Sequence, residues 1–110
     1  WAGGGYVSTT EDMSKFVWKV LYSDFLLPET VKEMTKSQKL PDDKKTNYGI
    51  GWRIIYDDKN NRYLGHGGSS IGGKTFVFSS KDKSVISIMA NKSKASFGKL
   101  PYQLINIYKN

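Results

Sequence analysis

His66 is the only histidine of the chain, and it lies in the most glycine-rich segment. Imidazole ionises near neutral pH, so it can act as an acid, a base or a hydrogen-bond donor to a substrate. Glycines at positions 65, 67, 68, 72 and 73 indicate unusual backbone dihedral angles or close approach of another backbone or a ligand. The alternative is a histidine in an exposed turn, since no metal-ligand partner or orienting carboxylate lies nearby in the sequence.

An overlapping segment, residues 68–75, reads Gly-Ser-Ser-Ile-Gly-Gly-Lys-Thr and matches the phosphate-binding P-loop pattern letter for letter. Such a loop needs a helix directly after it, because the helix N-terminus faces the phosphates. Residues 75–78, Thr-Phe-Val-Phe, instead have the β-branched and aromatic character of a strand. We therefore interpret the match as chance.

Two Ser-x-x-Lys tetrads, Ser80 to Lys83 and Ser96 to Lys99, have the spelling of a serine nucleophile with its lysine base. A nucleophile of this kind has to begin a rigid, largely buried helix, with the lysine one turn later. Ser80 lies in a charged turn pattern and Ser96 in a polar stretch, and serine and lysine are both abundant in the chain. We assign neither tetrad a catalytic role.

The composition excludes several classes of protein. A chain of 110 residues fits one domain with one modest core. Without cysteine it has no disulfide or thiolate zinc site, and we expect no metal and no other cofactor. No apolar run approaches the ~20 residues that span a bilayer. The net charge of +7 favours anionic surfaces, but the lysines are scattered, which is typical of a solvated surface, and we expect no nucleic-acid partner.

Three helices are predicted to position these residues. A capping box at residues 8–11 begins the first, whose apolar stripe is Met13, Phe16, Val17, Val20 and Leu21. Pro28 begins the second helix. The third follows Gly98, with an apolar stripe of Leu100, Leu104, Ile107 and Tyr108.

Three strands are predicted between the second and third helices. The first is Tyr48 to Tyr56, with alternate residues on one face; the second begins at Arg62, is interrupted by the glycine-rich segment and resumes at residues 75–78; the third is residues 85–89. The fold class is therefore α+β, a three-stranded antiparallel meander packed with helices. The third strand is apolar enough for a sheet interior, so a further part of the parent domain or a second copy should cover its outer edge.

Four segments resemble, in order and spacing, the C-terminal part of the serine β-lactamase-related family. They are residues 2–16, the Tyr-Gly-Ile-Gly-Trp run at 48–52, the Gly-His-Gly-Gly run at 65–68 and residues 85–91. The family includes class C β-lactamases, penicillin-binding D-Ala-D-Ala carboxypeptidases and related esterases. The resemblance implies that residues 1–110 are one C-terminal piece of a β-lactamase/transpeptidase-like domain. It also implies a bacterial, extracytoplasmic location: secreted, periplasmic or membrane-associated.

The resemblance also implies roles for the glycine-rich segment. His66-Gly67-Gly68 resembles the His-x-Gly form of the family's third motif, on a strand that lines the cleft, and Ser69 falls where a backbone N–H serves the oxyanion. His66, Gly67, Gly68 and Ser69 are thus implied to bind substrate: a β-lactam, a D-Ala-D-Ala-like peptide or an ester. The resemblance implies a parent enzyme that acts by acyl transfer. The serine nucleophile and its lysine have no counterpart at the matching positions of this sequence, so we expect the chain by itself to be inactive. The alternative is a non-catalytic module that binds cell-wall peptide or protein through the same sheet.

Overall fold

A computed structural model describes residues 5–109, which form three helices and four strands. In chain order these are α1 (Thr10–Tyr22), α2 (Pro28–Thr35), β1 (Arg53–Tyr56), β2 (Arg62–Ser70), β3 (Gly73–Ser80), β4 (Val85–Ala90) and α3 (Leu100–Lys109). The strands form one antiparallel sheet in the order β1-β2-β3-β4. The predicted α+β class is confirmed, but the predicted number of strands, three, was wrong.

The additional strand comes from the glycine-rich segment. β2 runs through that segment to Ser70, which pairs with Gly73 across a tight turn at residues 71 and 72. Gly72 has φ +82°, a conformation that a side chain would strain. What the pattern predicted as one interrupted strand is therefore the hairpin β2–β3. Residues 68–75 span this hairpin, so no helix follows the P-loop-like pattern.

The first predicted strand is shorter than the sequence pattern indicates. Only Arg53–Tyr56 is a strand, and Tyr48 is joined to it by an isolated bridge to Arg53. Gly51 has φ +75°, which turns the chain before the strand begins. As a result Trp52 is buried while Ile50 is 64% exposed, so the predicted common face for alternate residues was wrong.

Helix α1 begins one residue later than the capping box predicts. Thr9 is the N-cap, and its hydroxyl accepts a hydrogen bond from the Asp12 N–H at 3.1 Å. The buried stripe consists of Val17, Val20 and Leu21. Phe16, predicted to belong to that stripe, is 56% exposed. The helix therefore presents a narrower apolar stripe to the sheet than expected.

The core has two parts, one on each face of the sheet. Successive strand residues point to opposite faces, so Val77 and Phe78 separate the two clusters. Val77 packs with α1 against a cluster of Val17, Val20, Leu21 and Trp52. Phe78 packs with α3 in a cluster of Tyr63, Phe78 and Ile105. Phe78 and Ile105 are both 0% exposed, so α3 is anchored at the centre of the sheet.

The buried face of α3 differs from the predicted stripe. Pro101 and Ile105, four residues apart, are the buried positions, whereas Ile107 and Tyr108 are more than 70% exposed. The apolar residues on both sides of this helix allow two stripes, and contact with Phe78 selects the one that contains Ile105.

Strand β4 lies at the end of the sheet and pairs with β3 only, within residues 5–109. All six of its residues are partly buried. The expectation that a further strand or a second copy covers its outer edge stays a prediction. Among the described residues, no helix combines the length and the apolar character that crossing a bilayer requires.

Candidate functional site

His66 lies on β2 with an exposed side chain and two close polar neighbours. Its Cα partner on β3 is Val77, so the ring projects from the face of the sheet that α1 covers. Nδ1 lies 2.8 Å from the Gly67 carbonyl oxygen, and Nε2 lies 2.7 Å from the Tyr48 hydroxyl oxygen. The two rings meet edge to face, with centroids 5.8 Å apart. His66 thus has contacts at both ring nitrogens.

The loop that carries Tyr48 is held in place by α2. The Ile50 N–H donates to the Met34 carbonyl oxygen at 2.8 Å, and the Gly49 N–H donates to the Trp52 carbonyl oxygen at 2.7 Å. A Cβ on Gly49 would lie 2.1 Å from the Met34 oxygen, so only glycine fits there. Packing thus explains the first glycine of the Tyr-Gly-Ile-Gly-Trp run, and positive φ explains the second, Gly51.

The outer edge of β2 is only partly covered. β1 pairs with residues 62–65 of β2, and its register ends at the Arg53–Gly65 pair. From His66 to Ser70, β2 pairs with β3 alone among the described residues. The backbone of residues 66–70 therefore has one open edge, which is the geometry that an extended ligand needs in order to align with a strand.

The glycines of β2 differ in what the surrounding chain requires. A Cβ on Gly65 would lie 2.2 Å from the Val77 carbonyl oxygen, so sheet packing demands glycine there. A Cβ on Gly68 would meet only the Thr75 hydroxyl, at an ordinary contact distance of 3.5 Å. Packing within the chain thus explains Gly65 but not Gly68. A close neighbour from outside the chain would explain Gly68.

Gly67, Gly68 and Ser69 border an open cavity of about 260 Å³. Arg53, Lys74 and Phe97 contribute to its other walls, and the Lys74 ammonium lies 5.6 Å from the centre of the Phe97 ring. His66 does not line this cavity. The structure thus brings three of the four predicted substrate-binding residues to one concavity, and it places the histidine beside Tyr48 instead.

Ser69 is tied to the segment that follows β4. Its hydroxyl donates to the Ser93 carbonyl oxygen at 3.2 Å, and the Gly72 N–H donates to the Ser93 hydroxyl at 2.6 Å. Ser93 therefore clamps the tip of the β2–β3 hairpin. The Ser69 side chain is engaged in this clamp, which leaves its main chain as the part that can serve a ligand.

Comparison with protein families assigns the chain to one family. The model of the family described as Beta-lactamase matches residues 1–108. The chain belongs to the β-lactamase family. The resemblance inferred from the four segments is thereby confirmed, although residues 2–4 of the first segment lie outside the described residues. The family gives the chain a serine-hydrolase-like fold and relates it to hydrolases with small-molecule substrates such as β-lactams or peptides. No curated protein matches the chain.

Neither Ser-x-x-Lys tetrad has the structure that the nucleophile of a β-lactamase-family enzyme needs. Ser80 ends β3 and is 3% exposed, and its hydroxyl is hydrogen-bonded to the Asp82 carboxylate. The Lys83 ammonium lies 6.0 Å from the centre of the Tyr22 ring. Ser96 lies in the connection between β4 and α3. Neither serine begins a helix, so the interpretation of both tetrads as chance agrees with the fold.

A second polar cluster surrounds Ser80, at the other end of the β2–β3 hairpin from the turn. It borders a cavity of about 500 Å³. The hydrogen bond from Ser80 lowers the pKa of Asp82 to about 2, and burial raises the pKa of Tyr22. The carboxylate is therefore ionised and the phenol protonated at neutral pH. Both act as fixed hydrogen-bonding groups, and neither is poised as a general acid or base.

Sequence reasoning missed Tyr48 as a site residue. The signal was present, because Tyr48 begins the Tyr-Gly-Ile-Gly-Trp run that supported the family resemblance. The alternating pattern, however, placed Tyr48 on a strand face. Its contact with His66 joins residues 18 positions apart, and no local pattern reports such a contact.

Among residues 5–109 no group of three His, Cys, Asp or Glu could hold a metal ion.

Proposed function

We propose that this chain forms the substrate-side wall of a serine acyl-transfer hydrolase that resembles class C β-lactamases and penicillin-binding carboxypeptidases. The observation that carries the proposal is the open edge of β2 at residues 66–70, with Gly68 unexplained by internal packing. Family membership supports a hydrolase parent. The location implied by the family, extracytoplasmic and bacterial, is part of the same proposal.

The parent reaction is acyl transfer to a serine. The serine oxygen attacks an amide or ester carbonyl while a base takes its proton, and the carbonyl π electrons move onto the oxygen. Collapse of the oxyanion expels the amine or alcohol, which takes up the proton, and leaves an acyl-enzyme that water hydrolyses. In this chain, the Ser69 N–H would stabilise the oxyanion, and Gly68 would admit the substrate backbone to the strand. His66 and Gly67 complete the wall.

The reactive serine and its lysine are assigned to polypeptide outside these 110 residues. This assignment rests on the two Ser-x-x-Lys tetrads, neither of which begins a helix. Without the nucleophile the chain forms no covalent intermediate, whereas loss of one oxyanion donor typically slows catalysis by only ~10²- to 10³-fold. The isolated chain is therefore expected to be inactive.

Intact-mass spectrometry after incubation with a penicillin tests the proposal. The 110-residue chain should gain no mass, and the full-length protein that contains it should gain one penicillin. A penicillin adduct on the 110-residue chain alone would contradict the assignment of the nucleophile to polypeptide outside it. A full-length protein that binds cell-wall peptide but never gains mass would contradict the proposed hydrolase activity and favour the non-catalytic binding module.

Two glycines of the β2–β3 hairpin, Gly68 and Gly73, provide a test of the proposed substrate-binding edge and its control. Gly68→Ala in the full-length protein should slow acylation by about 10²-fold, the loss typical of a 1 Å misplacement. Gly73→Ala is the control, because its Cβ would meet nothing closer than the Ala90 oxygen at 3.9 Å. Equal rates in the two variants would contradict the role of Gly68.

A further inference from the structure

Both nitrogens of the His66 ring are occupied by groups of this chain. Nδ1 lies 2.8 Å from the Gly67 carbonyl oxygen. A carbonyl oxygen can only accept, so Nδ1 must carry a proton and donate it. In the neutral ring Nε2 is then the acceptor, and the hydroxyl 2.7 Å away, that of Tyr48, donates to it. The two contacts together select the Nδ1–H tautomer.

Tyr48 can reinforce this choice because its own backbone is fixed. The Tyr48 N–H donates to the Thr46 hydroxyl at 3.2 Å, and the Tyr48 carbonyl oxygen accepts from the Gln38 N–H at 2.8 Å. Gly49, the next residue, is locked against Met34. The phenol is thus presented to His66 from a loop that contacts with Gln38, Thr46 and Met34 hold in place.

We propose that Tyr48 is a positioning residue for His66: it holds the neutral imidazole in the Nδ1–H tautomer and in one orientation on β2. A neutral His66 held in this way has no free N–H for a substrate. The group of the pair that is left to contact a ligand is the Tyr48 oxygen, which donates its one proton to Nε2 and keeps a free lone pair. The pair therefore favours a substrate hydrogen-bond donor, such as an amide N–H, at this point of the wall. This last step rests on the proposed function, whereas the tautomer rests on geometry alone.

The tautomer can be measured without any assay of activity. His66 is the only histidine, so a long-range proton–nitrogen NMR spectrum of the ¹⁵N-labelled chain reports one imidazole. In mildly alkaline buffer, where an ordinary imidazole is neutral, we expect a protonated Nδ1 and an unprotonated Nε2. A proton found mainly on Nε2 of the unsubstituted chain would overturn the proposal.

Substitution of Tyr48 tests whether its phenol stabilises the Nδ1–H tautomer of His66. Tyr48→Phe removes the donor to Nε2, so the Nε2–H form should increase at least severalfold. Tyr56→Phe is the control: Tyr56 is an exposed tyrosine on β1, and the variant should keep the original tautomer. An unchanged tautomer in a folded Tyr48→Phe chain would overturn the proposal. The measurement on the unsubstituted chain decides the tautomer even if that variant fails to fold.

The tautomer of His66 and the acylation of the parent enzyme are tested on different proteins. The tautomer is a property of the 110-residue chain, whereas penicillin acylation is a property of the full-length protein. In the full-length protein Tyr48→Phe should change KM for an amide substrate more than it changes kcat, because it alters a binding contact. An unchanged KM would contradict the assigned contact and leave the tautomer result standing.

Discussion

Gly49 lies directly against the main chain of Met34, where a Cβ would approach the carbonyl oxygen to 2.1 Å. This contact joins the loop before β1 to the end of α2, and the same loop presents Tyr48 to His66. The position of Tyr48 therefore depends on the close packing of Gly49 against α2.

Gly49→Ala should destabilise the chain because the new methyl group collides with rigid backbone. Overpacking of this kind typically costs about 1–3 kcal/mol. Urea unfolding followed by circular dichroism measures the difference, with Gly73→Ala as the glycine control. Equal midpoints for the two variants would show that the loop moves aside at no cost.

Phe78→Ala should be among the most damaging single substitutions. The side chain is 0% exposed and packs between Tyr63 and Ile105, so its removal leaves a cavity where α3 meets the sheet. Truncation of a buried phenylalanine costs about 3–5 kcal/mol. Phe25→Ala, at a position that is 68% exposed, is the control and should leave thermal unfolding nearly unchanged.

Ser93→Ala should loosen the tip of the hairpin that carries the site. It removes the hydroxyl that accepts from the Gly72 N–H. The expected cost in global stability is at most about 1 kcal/mol, because the bond is exposed. Hydrogen exchange at the Gly72 amide should accelerate, with Ser96→Ala as control. Unchanged exchange in the Ser93 variant would mean that the clamp is not populated in solution.

Acid should weaken the fold partly through Asp82. Its pKa falls from 3.8 to about 2, chiefly through the hydrogen bond from Ser80. Because the pKa is lower in the folded state, the stabilisation is complete above about pH 4 and is lost as the pH falls toward 2. Asp82→Asn should therefore show a smaller loss of stability over this interval. Asp58→Asn, at a carboxylate that is 97% exposed, should behave like the unsubstituted chain.

Local patterns predicted the parts of the fold that depend on side chains at regular spacing. The buried positions Val17, Val20 and Leu21 of α1 follow from helical periodicity, and the strand that begins at Val85 follows from its apolar run. The hairpin at residues 62–80 was predicted incorrectly because glycines carry no side-chain alternation that could indicate a strand.

Tertiary contacts decided the remaining features. The stripe of α3 that is buried depends on Phe78, and the run before β1 is a loop because Gly49 meets Met34. Gly67, Gly68 and Ser69 share one cavity, and their role in substrate binding stays a prediction. The position of His66 beside Tyr48, by contrast, is set by a contact across 18 residues.

The most direct test is a crystal structure of the full-length protein acylated by a penicillin. The acyl carbonyl oxygen should lie about 2.7–3.1 Å from the Ser69 backbone nitrogen, with the ligand alongside residues 66–70 of β2. An acyl group bound to a serine elsewhere, with this strand edge facing solvent, would contradict the account.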